Sequence, residues 1–297
     1  MKRIGCVVAI SCCFIAFSQP NTDSSFHFRF KSPYFQKPKV IAIDAIHNNR
    51  HTKDTGLSHL TKILEQDGFL VKENKELFSQ ESLKEIDILI IVNALHDSNA
   101  KRWELPCLSA FTNQEIDVLK DWVEDGGRLF LSADHMPYSG AVQKLARAFQ
   151  VEWGNNFDQS KKKRWPPASF DRSKGTLLSS AVTDSSHFAA EVSQIGTFTG
   201  SGFRSSSLTP FLIFDSTYEL LYPKIAWKFS KKTKRINAKG WCQGAYGEFG
   251  KGKVVFMGES AMFTAQSRGR TKIGMNSPDA PENAQLAVNI FRYLAID

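Results

Sequence analysis

The sequence predicts an α/β fold, and three observations carry that reading. Short aliphatic runs alternate with amphipathic segments, the runs are apolar throughout rather than at every second residue, and polar residues gather where the runs end. With 297 residues, 42% of them hydrophobic and 23% charged, the chain can bury a sizeable core, which excludes a disordered or collagen-like polymer. Its net charge of +8 falls to +6 without Lys2 and Arg3, a surplus that favours anionic partners weakly.

Residues 1–18 read as a secretory signal. Lys2 and Arg3 precede an apolar stretch from Ile4 to Phe17, and Ala16-Phe17-Ser18 offers a small-x-small cleavage site before Gln19. The stretch is short of the ~20 residues a bilayer span requires. Export into a bacterial periplasm is therefore expected, with no membrane span after signal removal. Ala9-Ile10-Ser11 before Cys12 gives a lipid anchor at Cys12 as the alternative, weakened because Ala9 stands where a branched residue is usual. Residues 19–38, with three prolines, read as a flexible tether, and order is expected from Lys39 to the end as one domain.

Val40–Ile43 is a buried strand ending in Asp44, and Leu57, Leu60, Ile63 and Leu64 then line one helical face stopped by Gly68. Phe69–Glu73 and Ile86–Val92 supply two more strands, the latter running into Asn93-Ala94-Leu95-His96. Thr112 and Glu115 form a capping box for a helix with Ile116, Leu119, Trp122 and Val123 inside and Gly126-Gly127 after it. Arg128–Ala133 is the next strand, delivering Asp134-His135, and Gly140–Phe149 the helix behind it. From about 151 to 240 the pattern loosens into Ser-rich, basic sequence with strand candidates at Gly196–Phe203, Pro210–Phe214 and Ile225–Phe229, read as a loop- and β-rich insertion. Trp241–Phe249 and Lys253–Met257 form a C-terminal β-hairpin through Gly250-Lys251-Gly252, followed by Gly258-Glu259-Ser260. Pro281 opens a terminal helix carrying Ala284, Val288, Phe291 and Leu294, with Glu282 and Asn283 as its caps.

Of five cysteines only Cys107 and Cys242 lie beyond the signal. A disulfide between them and two separate thiols both remain open.

In an open α/β sheet, ligands bind outside the carboxyl ends of the strands where strand order reverses. Asp44, His47, Asn48, Asn49 and His51 follow the first strand, Asn93 and His96 the third, Asp134 and His135 the fourth, and Glu259 and Ser260 the last. Parallel strands would bring these ends to one crevice. One reading is a divalent Zn, Mn or Fe ion held by Asp44, His47 and His96, with Asp134, His135 and Glu259 catalytic and Asn48, His51, Asn93 and Ser260 binding ligand. The plainer reading is that these groups hydrogen-bond one another and the loop backbones, or hold a neutral polar ligand. The spacing Asp44-x-x-His47-x-x-x-His51 matches no familiar metal helix, and no serine stands in a Gly-x-Ser-x-Gly elbow. The basic runs Lys161–Arg164 and Lys228–Lys239, with Trp165 and Trp227, suit anionic sugars or envelope polymers, or are solvated loops. Nucleic acid is not expected of an exported chain.

Phe111-Thr112-x-x-Glu115-Ile116 through Trp122-Val123-x-x-Gly126-Gly127-x-Leu129, then Phe249-Gly250-x-Gly252-x-Val254 into Gly258-Glu259-Ser260, resembles the class I glutamine amidotransferase-like superfamily. The similarity is to an exported bacterial branch of unknown function, distantly similar to trehalose-utilisation-type proteins; Asn93–His96, Ala133–Pro137 and Gly274–Asn276 look like its signature segments. The resemblance spans about residues 39–297. It implies a flavodoxin-like three-layer sandwich with a mostly parallel sheet. True amidotransferases carry a cysteine at the sharp strand-to-helix turn, where this chain has Asp134-His135, so glutamine hydrolysis is disfavoured. The resulting expectation is a hydrolase, with or without a metal, acting on a carbohydrate or cell-envelope compound. The alternative is a noncatalytic module that binds a sugar or polar ligand, or an envelope scaffold.

Overall fold

The computed structural model describes residues 21–29, 33–162 and 165–296; the expected secretory signal and Cys12 lie outside them. Asn21–Thr22 (β1) is followed by Val40–Asp44 (β2), Ser58–Gln66 (α1), Leu70–Asn74 (β3), Gln80–Leu83 (α2) and Ile88–Val92 (β4). Next come Asp97–Lys101 (α3), Asn113–Glu124 (α4), Arg128–Ser132 (β5), Tyr138–Ala141 (α5) and Gln143–Ala148 (α6). The helix expected over Gly140–Phe149 is thus two short pieces. The β-rich region holds Val151–Trp153 (β6), Phe157–Ser160 (β7), Ala168–Asp171 (β8), Gln194–Thr197 (β9), Phe203–Ser205 (β10), Thr209–Ile213 (β11), Tyr218–Tyr222 (β12) and Lys234–Asn237 (β13). Cys242–Phe249 (β14), Gly252–Met257 (β15), Ala265–Arg268 (β16), Thr271–Gly274 (β17) and Asn283–Ala295 (α7) complete the chain.

Nine strands form one mixed sheet in the order β3-β2-β4-β5-β15-β14-β10-β6, with β11 also on β14. From β3 to β15 every pairing is parallel. From β15 outward every pairing is antiparallel. The expectation of a mostly parallel sheet is corrected here. Residues 151–240 do not merely decorate the sheet but contribute β6, β10 and β11 to it. Short strands joined without crossover helices enter a sheet antiparallel. Ile225–Phe229, expected as a strand, makes only an isolated bridge from Ile225 to Glu104.

The parallel half is covered on both faces, as its unbroken aliphatic strands require. Ile41, Ile43, Ile88, Ile90 and Phe130 share a core with Leu60 and Leu64 of α1 and Phe291 of α7. Ala42, Leu89, Ile91, Leu129 and Leu131 share the other with Leu119 and Val123 of α4 and Leu145 of α6. The capping box of α4 forms as expected: Thr112 Oγ1 accepts from Glu115 N at 3.2 Å, and Glu115 Oε2 from Thr112 N at 3.0 Å. The hairpin closes with Phe249 opposite Gly252. A Cβ on Gly252 would meet two backbone oxygens at 2.2 Å, so the close approach to Val123 and Gly127 requires glycine.

The described part of the segment read as a tether is laid against the domain. β1 pairs with β16, Asp23 Oδ2 accepts from Asn276 Nδ2 at 2.7 Å and pairs with Lys272, and Phe26 and Phe35 pack on the core. Glu282 and Asn283 fasten β9 to α7 through side-chain bonds rather than capping the helix. Glu282 Oε2 accepts from the backbone N–H groups of Ser193 (2.8 Å) and Gln194 (2.6 Å). Asn283 pairs its amide with the N–H and C=O of Gly196 at 3.1 and 2.8 Å. Among the described residues, no helix is long and apolar enough to cross a membrane.

Candidate functional site

Several of the expected side chains meet at the carboxyl edge. Asn93, one residue past β4, has a left-handed backbone (φ 51°), which asparagine tolerates better than most residues. It clasps Asp134, two residues beyond the end of β5. Its Nδ2 donates to Asp134 Oδ2 at 2.7 Å and its Oδ1 accepts from Asp134 N at 2.8 Å. Asp134 Oδ1 accepts from Ser260 N at 2.5 Å, and Ser260 Oγ lies 2.8 Å from Ser132 Oγ. Glu259 is fully buried, and its carboxyl accepts from Ala261 N at 3.1 Å and Met262 N at 2.8 Å. Burial pushes Asp134 up to about 6, against the hydrogen bonds from Asn93 and Ser260 and the charge of Arg50. Burial, and then the charge of Asp134, raises Glu259 well above the usual carboxyl range. The three strand ends do converge, but Asp134 is bonded to the loops after the other two strands and Glu259 to its own.

A second cluster fills the point where strand order reverses, between β2 and β4. His47 Nδ1 sits 2.9 Å from Asp44 Oδ2, and its Nε2 sits 2.9 Å from Glu115 Oε1. Phe78 and Phe111 pack on the ring, each with centroids 4.8 Å away. Burial opposes charging of His47, yet Asp44 and Glu115 together raise its pKa, while the same ring helps hold Glu115 low against its own burial. Asn49 Nδ2 then bridges Asp44 Oδ2 at 3.0 Å and Val92 O at 3.2 Å, sealing the crevice. Both imidazole nitrogens of His47 are used.

His96 stands apart, with Nδ1 on Ser98 Oγ at 2.6 Å and accepting from Ser98 N as the N-cap of α3. Asp44, His47 and His96 therefore do not fit a divalent ion. Among the described residues, no three His, Cys, Asp or Glu side chains are arranged to hold one. Asn48 Nδ2 donates to Asp97 Oδ1 at 2.8 Å and to Leu95 O at 3.2 Å, pinning its loop. His51 is buried, and burial followed by the charge of Arg50 lowers its pKa to about 4. A Cβ on Gly56 would meet His51 Nδ1 at 1.9 Å.

His135 leaves the acids for an aromatic nest. It stacks on Phe157 with centroids 4.2 Å apart and planes within 8°, meets Trp227 edge-on at 4.6 Å, and has Tyr138 at 6.0 Å. Nδ1 donates to Met136 O at 2.6 Å, leaving Nε2 as the acceptor of a neutral ring, and burial lowers the pKa to about 4.

Beside this nest opens a groove of about 410 Å³ lined by Phe157, Asp158, Thr199, Leu221, Trp227 and Phe229. Trp227 is 54% and Phe229 40% exposed. Asp158 is buried. Its Oδ1 accepts from Gly200 N and from Gln243 Nε2, the latter at 3.2 Å, but its Oδ2 has no hydrogen-bond partner. Burial pushes Asp158 up to about 6. Gln243 ties this carboxyl back to the strand ends, since its O accepts from Gly258 N at 2.7 Å.

The chain shares its fold with the mmIFT52 N-terminal domain, at a TM-score of 0.62 and 17% identity over 86% of this chain and 98% of that one. It is similar, more distantly, to a thua-like protein from Bacteroides uniformis (TM-score 0.43, 12% identity, 90% and 95% covered). A cytoplasmic protein, STM1381 from Salmonella typhimurium, is matched at 0.46 and 15% identity over 86% and 99%. No protein-family model matches the chain, and no curated protein matches it in sequence.

Sequence reasoning placed Asn93, Asp134, Glu259 and Ser260 together and missed Glu115, Phe157, Asp158, Phe229 and Gln243. Glu115 was read as a cap and serves also as the second acid on His47. Asp158 lies in a four-residue strand with no motif around it. Trp165, read with Trp227 as a stacking residue, packs against Phe198 at 5.5 Å. Cys107 and Cys242 are separate free thiols, the latter donating to Phe203 O at 3.3 Å.

Proposed function

We propose that this protein is a noncatalytic binding module for a neutral carbohydrate ring, taken up in the groove between Trp227, Phe229 and Asp158. One observation carries the reading: the buried Oδ2 of Asp158 is unpartnered beside two exposed aromatic rings. Buried polar atoms are almost always satisfied, so an unpaired acceptor at a groove wall wants a donor such as a sugar hydroxyl. Aromatic faces take the apolar face of a pyranose, and about 410 Å³ accommodates one or two rings. By contrast the acids at the strand ends are bonded to Asn93, Ser260 and loop N–H groups, which favours a structural part for them. The experiment is a tryptophan-fluorescence titration of the protein with a panel of neutral mono- and oligosaccharides. Saturable binding that is weakened about tenfold by Trp227→Ala and by Asp158→Asn is expected, and binding indifferent to both substitutions would refute the reading.

The hydrolase reading draws on a different observation, the buried carboxyls of Asp134 and Asp158 raised to about 6, since such shifts gather at catalytic sites. Release of product from the bound sugar, abolished by Asp158→Asn, would establish it over the binding reading. Export by residues 1–18 and descent from the class I glutamine amidotransferase-like superfamily belong to the proposal. The quoted segments of that resemblance fall on α4, β5 and the β14–β15 hairpin.

A further inference from the structure

A second groove, of about 610 Å³, lies along β11 and β14 and shares no lining residue with the aromatic one. Lys174, Arg204 and Lys239 edge it, against a single carboxylate, Asp215. That carboxylate is occupied by its own turn, with Oδ1 accepting from Thr217 N at 2.7 Å and Thr217 Oγ1 at 2.5 Å. Lys174 is shared with Asp171 at 3.0 Å. Arg204 and Lys239 make no ion pair among the described residues. The Arg204 guanidinium lies 4.3 Å over the Trp241 ring. Stacking occupies the face of a guanidinium and leaves its in-plane N–H donors for an oxyanion.

Trp241 itself is only 5% exposed, and its buried Nε1 has no hydrogen-bond partner. An indole N–H can only donate, so what the site lacks is an acceptor. Buried Leu208 and Phe214 give the groove an apolar floor. Gly240, before Trp241, has φ +85° and open space where a Cβ would stand.

We infer that this groove binds a small ligand bearing a tetrahedral oxyanion, a phosphate or sulfate ester, held by Arg204, Lys239 and the Trp241 N–H with its apolar body on Leu208 and Phe214. Two cations and an indole N–H lining one groove offer more donors than a flat carboxylate needs, which suits the three terminal oxygens of such a group. This assignment absorbs the end of the basic run Lys228–Lys239, and it is independent of the sugar groove.

The test is to follow the Trp241 indole N–H resonance of the ¹⁵N-labelled protein, assigned by its loss in Trp241→Phe. Inorganic phosphate, sulfate and phenyl phosphate are titrated at ionic strength held constant with sodium chloride. A saturable shift is expected, with phenyl phosphate binding at least fivefold more tightly than phosphate. The preferred anion of phosphate and sulfate names the ester class. Arg204→Gln and Lys239→Gln, both exposed and safe for folding, should each weaken binding about tenfold, while Asp158→Asn leaves it unchanged. Chloride producing the same shift, a shift that does not saturate, or full affinity in both charge variants would overturn the proposal.

Discussion

At the ends of the parallel strands nearly every polar side chain is matched by another group of the protein, whereas in the β-rich region that follows β5 acceptors and donors are left over. Asp134 is held by Asn93 and Ser260, and His47 by two acids. In the β-rich region Asp158 Oδ2 and Trp241 Nε1 lack partners, and Trp227 and Phe229 are exposed. The difference reflects how each half is closed. The parallel strands are roofed by the loop over 45–57, which sets His47 and Asn49 on Asp44 at the reversal point. In the β-rich region the loops leave grooves of about 410 and 610 Å³ open beside Asp158 and Trp241. A buried polar network stabilises only when all its members are satisfied, which makes the first half a scaffold and the second the place where a ligand has something to add.

Substitutions at the parallel edge should therefore cost stability and those in the grooves should cost affinity. Asp134→Leu strands the Asn93 amide and the Ser260 N–H, and a loss of about 4 kcal/mol in urea unfolding is expected. A loss below about 1 kcal/mol would break the distinction. His47→Ala leaves Asp44 and Glu115 as buried, unpaired acids, for a loss of about 3 kcal/mol. The pH dependence of that loss has a definite sign. The folded pKa of His47 is raised above 6.5, so its contribution is fully present below pH 6.5 and disappears as pH rises through the folded value. The wild-type minus His47→Ala difference, measured by unfolding from pH 5 to 9, should shrink upward; a difference that grows would contradict the ion-pair account.

Asn283→Ala removes both bonds to Gly196 and should cost about 2 kcal/mol, seen first as faster hydrogen exchange in β8 and β9. Global loosening with no local signature there would show that β9 is not a separately fastened unit. The smallest effect on stability belongs to Trp227→Ala, which should leave the melting temperature unmoved while weakening sugar binding about tenfold. Sugar affinity should also fall on acidification through about pH 6, as Asp158 takes up a proton and loses an acceptor, and this step should vanish in Asp158→Asn.

Particular residues show what could be read in advance. The α4 capping box, the hairpin turn at Gly250-Lys251, and the aliphatic runs of β2, β4 and β5 all stand where the sequence places them. Each is specified by groups a few residues apart, through helical spacing, turn chemistry or a continuous apolar run. The mixed sheet, the Glu115 contact to His47 across 68 positions and the Asp158 groove are not specified locally. The sequence by itself determined an α/β chain, the strands β2, β4 and β5 with the helix α4, and the gathering of polar residues at strand ends. Tertiary structure alone decided which of those residues meet, because hydrogen bonds and ion pairs reach only about 3 Å and depend on strand order and loop path, neither of which leaves a periodic mark in the chain.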